Sequence, residues 1–346
     1  MSIFSRSHLE QEAPQLVGLV ALAAALDLGA AAGMAYIAGF SAIWHTFQHP
    51  QWEWLVVSGG AVALSFVGYY FGYRGVGQVE DGPDDLETSE RLAAVAAGFG
   101  GFLAHGGSAI DRFVMRLAGA SKRETKVRVG LLGGFEHAVL TIPGTIAAIV
   151  LLVEGRKLPH LDFLIPWAVG PALGFAIAIW AAERYRESLR GRGGWRERLS
   201  ILLDTTHLVG QLGRHPIRYA DALGGMLVFW LADILSLWAA MAAFGYHMNV
   251  AATVIGFGTA MIVTRRTGPL GGAGILMAAL PPTLWQCGAP WVPAVLGTFV
   301  YRFYTLWLPM PVSFAAIPKL RELGRESGEL PDEETQAEQE EPAISR

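Results

Sequence analysis

The sequence predicts an all-α polytopic membrane protein, and three observations carry that prediction. Of 346 residues, 52% are hydrophobic and only 16% charged, where an ordinary soluble domain carries roughly 25% charge. Uncharged stretches run from Leu28 to Trp52, Trp54 to Tyr73, Phe163 to Ala182, Ile234 to Thr264 and Thr267 to Tyr301. Each can cross a hydrocarbon core of about 30 Å, which takes about 20 apolar helical residues. Glycine, at 42 residues, is far above its roughly 7% average, and membrane helices use it more than soluble ones do.

The elements follow in order. Residues 1–15 carry acids and no small-residue cleavage site, which reads as a cytoplasmic N-terminal segment followed by a retained span. The spacing predicts a first span over about Leu16–Ile43 and a second over Trp54–Tyr73, with Trp44, Phe47, Trp52 and Trp54 at the interface between them. Arg74–Arg91 is a polar connection turning at Gly82-Pro83. Leu92–Ile110 is short, glycine-rich and interrupted at His105-Gly106-Gly107, and a basic stretch, 112–128, follows it. Asp111-Arg112 is expected at a solvated membrane exit. The next span, Val129–Val153, carries Glu136-His137, and Phe163–Ala182 is another.

Residues 183–218 form the most basic loop. Within it Trp195, Leu199, Leu202, Leu203 and Val209 recur at near-helical spacing, predicting a helix in the membrane interface. Ala222–Phe244 is a span with one acid, Asp233. Ala251–Gln286 is apolar but broken at Arg265–Gly272 and again at Pro281-Pro282, and the last span covers about Trp291–Ile317. The acidic 318–346 tail reads as disordered.

Arginine-rich connections belong on the cytoplasmic side. Placing both there makes the two broken segments re-entrant hairpins, with both termini cytoplasmic. The count is then about six full spans plus two hairpins, against eight or nine spans if the broken segments cross. It also divides the chain into 16–153 and 163–317, two sets of span, span, broken hairpin, span that start from opposite sides. That is the pattern of an inverted repeat, which places a transporter's binding site at the paired breaks.

Charges inside apolar runs are the candidate site residues. Backbone that leaves helical geometry at membrane depth must line protein or a wet cavity. The run holding Arg265, Arg266, Gly271, Gly272 and Gly274 therefore suits an anionic group. Arg302, preceded by Tyr301, is a mid-span arginine, costly unless functional or paired. Glu136 and Asp233 are its candidate partners. Glu136 and His137 occupy the position after the first break that Tyr301 and Arg302 occupy after the second, so they are candidates for charge balance or proton coupling. Asp27 and Asp233 read as helix-packing or pathway acids, and His105 as a break residue.

Other classes are excluded. One cysteine, Cys287, makes neither an intrachain disulfide nor a thiolate metal cage. A net charge of −4 is no nucleic-acid footprint. HExxH, GxSxG and Walker-type runs are absent from the sequence. No enzyme activity, metal or cofactor is expected, and the stretch after Ile317 is too short for a soluble catalytic domain.

Pro269-Leu270-Gly271-Gly272-Ala273-Gly274, then Gly288, Tyr301-Arg302 and Leu308-Pro309, resembles the membrane region of the lysylphosphatidylglycerol synthase/flippase family. Gly106-Gly107 to Arg116, Gly119-Ala120-Ser121 and Gly134-Phe135-Glu136 are similar to that family's first-half pattern. The resemblance covers about residues 16–320. Leu270 stands in place of a usual proline, and Met277 where family members commonly carry a glutamate. The resemblance implies a flippase that moves a phospholipid or isoprenoid-linked lipid between leaflets of the cytoplasmic membrane, with an anionic or aminoacylated head group as partner. A homo-oligomer is compatible with it, and the synthase activity is not carried over. The alternatives are a non-transporting membrane regulator or assembly partner, and a proton-coupled small-solute transporter.

Overall fold

Trp52–Gly77 and Ala220–Ala242 form the central pair of helices in the computed structural model, which describes residues 6–80, 82, 87–100, 107–156, 158–159, 163–191, 193–264 and 273–326. Within that range the side chains of 6–17, 19, 99–100, 107–109, 263–264 and 326 are not described. The helices in chain order are α1 (Arg6–Ala38), α2 (Phe40–Phe47), α3 (Trp52–Gly77), α4 (Thr88–Gly100), α5 (Gly107–Leu117), α6 (Lys122–Val153), α7 (Leu164–Leu189), α8 (Trp195–Arg214), α9 (Ala220–Ala242), α10 (Val250–Thr264), α11 (Ile275–Gln286), α12 (Trp291–Arg302) and α13 (Met310–Glu326). No strand occurs among the described residues, and the protein is an all-α membrane protein. Five stretches, Val20–Ala38, Trp52–Gly77, Lys122–Val153, Leu164–Leu189 and Ala220–Ala242, are long and apolar enough to cross a membrane.

The α3/α9 seam explains itself from sequence. On α3 the buried Ser58, Ala61, Ser65, Gly68, Gly72 and Gly75 alternate steps of three and four, and on α9 Ala222, Gly225, Phe229, Ala232, Ser236 and Ala239 do the same. That 3.5-residue period keeps one face on a partner helix, and small residues let membrane helices approach closely. A Cβ on Gly68 would stand 2.5 Å from the Phe229 nitrogen, and one on Gly225 2.5 Å from that of Gly72. Only glycine fits this crossing. Ser58 and Ser236 join their hydroxyls across it at 3.0 Å.

The ends of the bundle sort the loops. At one end, Gln51 N–H donates to Ala243 O (2.8 Å) and Tyr246 Oη–H to Gly288 O (2.9 Å). At the other, Arg128 Nη1 donates to Gly77 O and Val79 O (3.2 and 3.1 Å), and Arg123 reaches Glu197 and Asp204 (3.0 and 2.6 Å). The α4–α5 segment therefore leaves and returns at the end where the arginine-rich connections meet. The α10–α11 segment leaves and returns at the opposite end. Each is two helices of 11 to 15 residues, or about 16–22 Å at 1.5 Å per residue, too short to cross alone.

Helix pairings repeat between halves: α6 packs on α7 as α12 packs on α1, α10 packs on α6 as α13 packs on α4, and α5 packs on α6 as α11 packs on α12. These pairings map onto one another when α1, α3, α4, α5 and α6 are exchanged for α7, α9, α10, α11 and the split pair α12 and α13.

Four elements differ from expectation. The first span divides at Gly39, whose φ of +91° ends α1 before the short α2. The last span is not continuous: α12 passes into a π-helical turn, Phe303–Trp307, where Leu308 N–H bonds Phe303 O (2.9 Å), and α13 starts afresh beyond Pro309, which has no N–H to continue the ladder. Pro281-Pro282 does not break α11; the helix runs through them, and the Thr283 hydroxyl donates to Leu280 O (2.8 Å). Helix α8 forms but docks on α6 and α7, burying Ser200, Leu203, Asp204 and Leu208 while leaving Trp195 and Leu202 exposed.

Candidate functional site

The corner formed by α1, α11 and α12 pairs two buried charges. Asp27, one of the few polar groups on α1, is 5% exposed, and Arg302 near the end of α12 is 7% exposed. Arg302 Nη2 donates to Asp27 Oδ2 at 3.3 Å and to Oδ1 at 3.5 Å. Asp27 Oδ1 also accepts the Gly274 N–H at 2.6 Å. Gly274 is the N-cap of α11 with φ +76°, a left-handed conformation that glycine adopts without steric cost. The carboxylate thus sits at the positive end of α11, which chain 265–272 joins to α10.

The bonds are unequal, and the inequality matters. Charge-assisted N–H···O contacts ordinarily lie near 2.7–2.9 Å; the amide contact is that short, while those from Arg302 are at the long limit. Asp27 is anchored first to α11. Arg302 Nε has no hydrogen-bond partner, and Asp27 is the guanidinium's only one among the described residues. A guanidinium offers five N–H donors, so most of this one's capacity is unused. The π-helical turn begins at the next residue, a geometry frequent at functional sites.

Arg302 does not pair with Glu136 or Asp233, the two partners expected for it. Tyr301 takes Asp233 instead, its hydroxyl donating to Oδ2 at 3.0 Å. Glu136 lies across an aromatic layer: Trp230 Nε1 donates to the Glu136 backbone oxygen (2.7 Å), Trp230 packs on Phe257 (centroids 6.0 Å) and Phe257 on Tyr301 (5.8 Å). All three rings are at most 2% exposed.

Glu136 belongs to the first break. It is within electrostatic reach of Asp111 on α5, and Asp111 with Arg91 on α4 is within reach of the buried Tyr73 on α3. Asp111, expected at a solvated exit, is half-buried here. His137 turns back along its own helix, Nδ1 lying 2.7 Å from Gly133 O. His105, Arg265, Arg266, Gly271 and Gly272 lie outside the described residues. No group of three or more His, Cys, Asp or Glu able to hold a metal occurs among the described residues. Met277 is buried in α11 at 1% exposure.

Two features escaped the sequence reading. Asp27 was visible as an acid in an apolar run, but its partners lie far along the chain. Asp204 was hidden among arginines, although Ser200 and Asp204, four apart, already mark one polar helix face that receives Arg123 and Arg190 (2.7, 2.6 and 3.1 Å).

No protein-family model matches the chain, and no curated protein matches it.

Proposed function

We propose that the protein is a lipid transporter of the flippase type, inserted in the cytoplasmic membrane with both termini on the cytoplasmic side, and that Arg302 engages the lipid phosphate. The supporting observation is the buried guanidinium held by one long ion pair, with Nε unbonded, on the carboxylate that also caps α11 at Gly274. A mid-membrane arginine is costly to keep. Fixed structural arginines are normally satisfied by several short bonds, whereas this one retains donors for an anion. Arg265 and Arg266, nine and eight positions before Gly274 in the sequence, are proposed as further cations for the same phosphate. Asp27 balances that charge until an anion enters, and it brings a carboxylate to α11 near Met277, where the family that the chain resembles carries its own. The convergence of the arginine-rich connections at one end supports the orientation.

Lipid that copurifies with the full chain tests this reading. Lipid extracted from the purified protein is expected to be enriched in phosphate-bearing anionic or isoprenoid species relative to the host membrane, and Arg302→Ala lowers that enrichment. Copurified lipid that mirrors the bulk membrane in both proteins would overturn the reading.

A further inference from the structure

A recess bordered by two cations lies at the end of the bundle where the arginine-rich connections meet. Helices α6, α7 and α8 surround a cavity of about 370 Å³ whose lining includes Lys126, Arg198, Thr205, Thr206, Phe175 and Val209. Sites for small ligands occupy roughly 300–1,000 Å³. On α6, Lys126, Gly130 and Gly134 succeed one another at steps of four, so a cation stands beside a floor without side chains.

The charges are sorted with respect to this cavity. Glu197 is bonded to Arg123, and Asp204 to Arg123 and Arg190, at 3.0, 2.6 and 3.1 Å, and neither acid lines the recess. Lys126 and Arg198 do line it, and neither has a carboxylate partner among the described residues. Two like charges facing one recess repel each other, and an anion between them converts that repulsion into attraction.

The hydroxyls narrow the ligand further. Thr205 Oγ1 donates to Val127 O (3.2 Å) and Thr206 Oγ1 to Leu202 O (2.9 Å), so both protons are committed and the oxygens facing the cavity can only accept. A bare phosphate, itself an acceptor, would leave them without partners. A head group with a phosphate and neighbouring hydroxyl donors satisfies cations and hydroxyls together, whereas an ammonium donor would meet Lys126 and Arg198. Helix α7 adds the apolar half: Phe175 and Ala178 line the recess, and Ile165, Val169, Leu173 and Ile177, at steps of four, are 66, 55, 57 and 56% exposed on its outer face. Acyl chains can lie along that stripe while the head group occupies the recess.

We propose that this recess is a binding site for a glycerophospholipid whose head group carries a phosphodiester and free hydroxyls, as phosphatidylglycerol does. Lys126 and Arg198 clamp the phosphate, and Thr205 and Thr206 accept from the head-group hydroxyls. The site is separate from Arg302, and the proposal does not rest on transport.

Native mass spectrometry of the full-chain protein, delipidated and titrated with phosphatidylglycerol, phosphatidylcholine or glycerol 3-phosphate, tests it. The wild-type protein is expected to hold phosphatidylglycerol in preference to phosphatidylcholine, and the Arg302→Ala variant to keep one such adduct. The exposed pair Lys126→Gln/Arg198→Gln should weaken that adduct about tenfold or more, as loss of charge-assisted bonds implies. Gly134→Leu, which fills the floor while keeping both cations, should remove it as well. Equal retention of the two lipids by the wild type, or undiminished phosphatidylglycerol binding in the double variant, would overturn the proposal. Displacement of the lipid by equimolar glycerol 3-phosphate would also overturn it and would assign the recess to a free phosphate.

Discussion

The α3/α9 seam and the corner formed by α1, α11 and α12 are both buried, yet they are built on opposite principles. The seam is a run of serine, alanine and glycine at a 3.5-residue period, with backbones so close that no Cβ fits at Gly68 or Gly225, and its cross-helix polar link is a neutral serine pair. The corner brings together a carboxylate, a guanidinium, a helix N-terminus and a π-helical turn, joined by one short bond and two long ones. In lipid, packing holds helices together because hydrocarbon competes for apolar contact but cannot reproduce fit. The seam stabilises the fold by fit, whereas the corner spends stability to keep charge at depth. Such a concentration of cost is what the proposed role of Arg302 would explain.

The comparison can be broken most directly at Asp27. Asp27→Ala leaves the Arg302 charge buried without its partner and unties the α11 N-terminus. Removing one member of a buried ion pair costs about 3–5 kcal/mol, so the unfolding free energy in detergent should fall by that order. Asp27→Asn keeps an acceptor for Gly274 N–H and should recover about 1 kcal/mol of the loss. A next, smaller effect is expected at the seam: Gly68→Val forces a side chain into the Phe229 backbone and should cost about 1–3 kcal/mol, seen as a lower Tm. Unlike Asp27→Ala, Gly68→Val should leave lipid binding intact in the fraction that remains folded. The smallest effect belongs to the Ser58→Ala/Ser236→Ala pair, about 0.6 kcal/mol, read by the same unfolding measurement. A larger loss there than at Gly68 would show that hydrogen bonding, not close approach, holds the seam.

Much of the fold was legible because lipid imposes simple rules. The spans expected at Leu16–Ile43, Trp54–Tyr73, Val129–Val153, Phe163–Ala182 and Ala222–Phe244 fall on the five long apolar helices, although the uncharged runs themselves overran helix ends at Gly39, Ala242 and Gln286. The seam was legible too, at Ser58, Ala61, Ser65, Gly68, Gly72 and Gly75, once steps of three and four are counted among small residues rather than large ones. The corner was legible only as separate charges. Asp27 and Arg302 are 275 positions apart, and nothing local in either run specifies which distant helix will approach. Symmetry pointed to Glu136 as the partner for Arg302. The structure instead gives Arg302 to Asp27, and it ties Glu136 by its backbone oxygen to Trp230, which packs on Phe257 and through it on Tyr301. The π-helical turn was equally hidden, because Pro309 announces a break in the ladder without saying how the preceding turn absorbs it.

Leaflet exchange of a fluorescent phosphatidylglycerol in proteoliposomes containing the full chain, followed by one-sided chemical quenching, tests the division of labour between seam and corner most directly. Arg302→Ala, in protein whose unfolding transition shows it to be folded, is predicted to slow exchange about tenfold or more, the scale set by losing a charge-assisted contact to phosphate. Gly68→Ala is predicted to lower Tm while the folded fraction exchanges lipid at the wild-type rate. Exchange unchanged by Arg302→Ala in folded protein would contradict the account and leave the buried guanidinium a structural partner of Asp27.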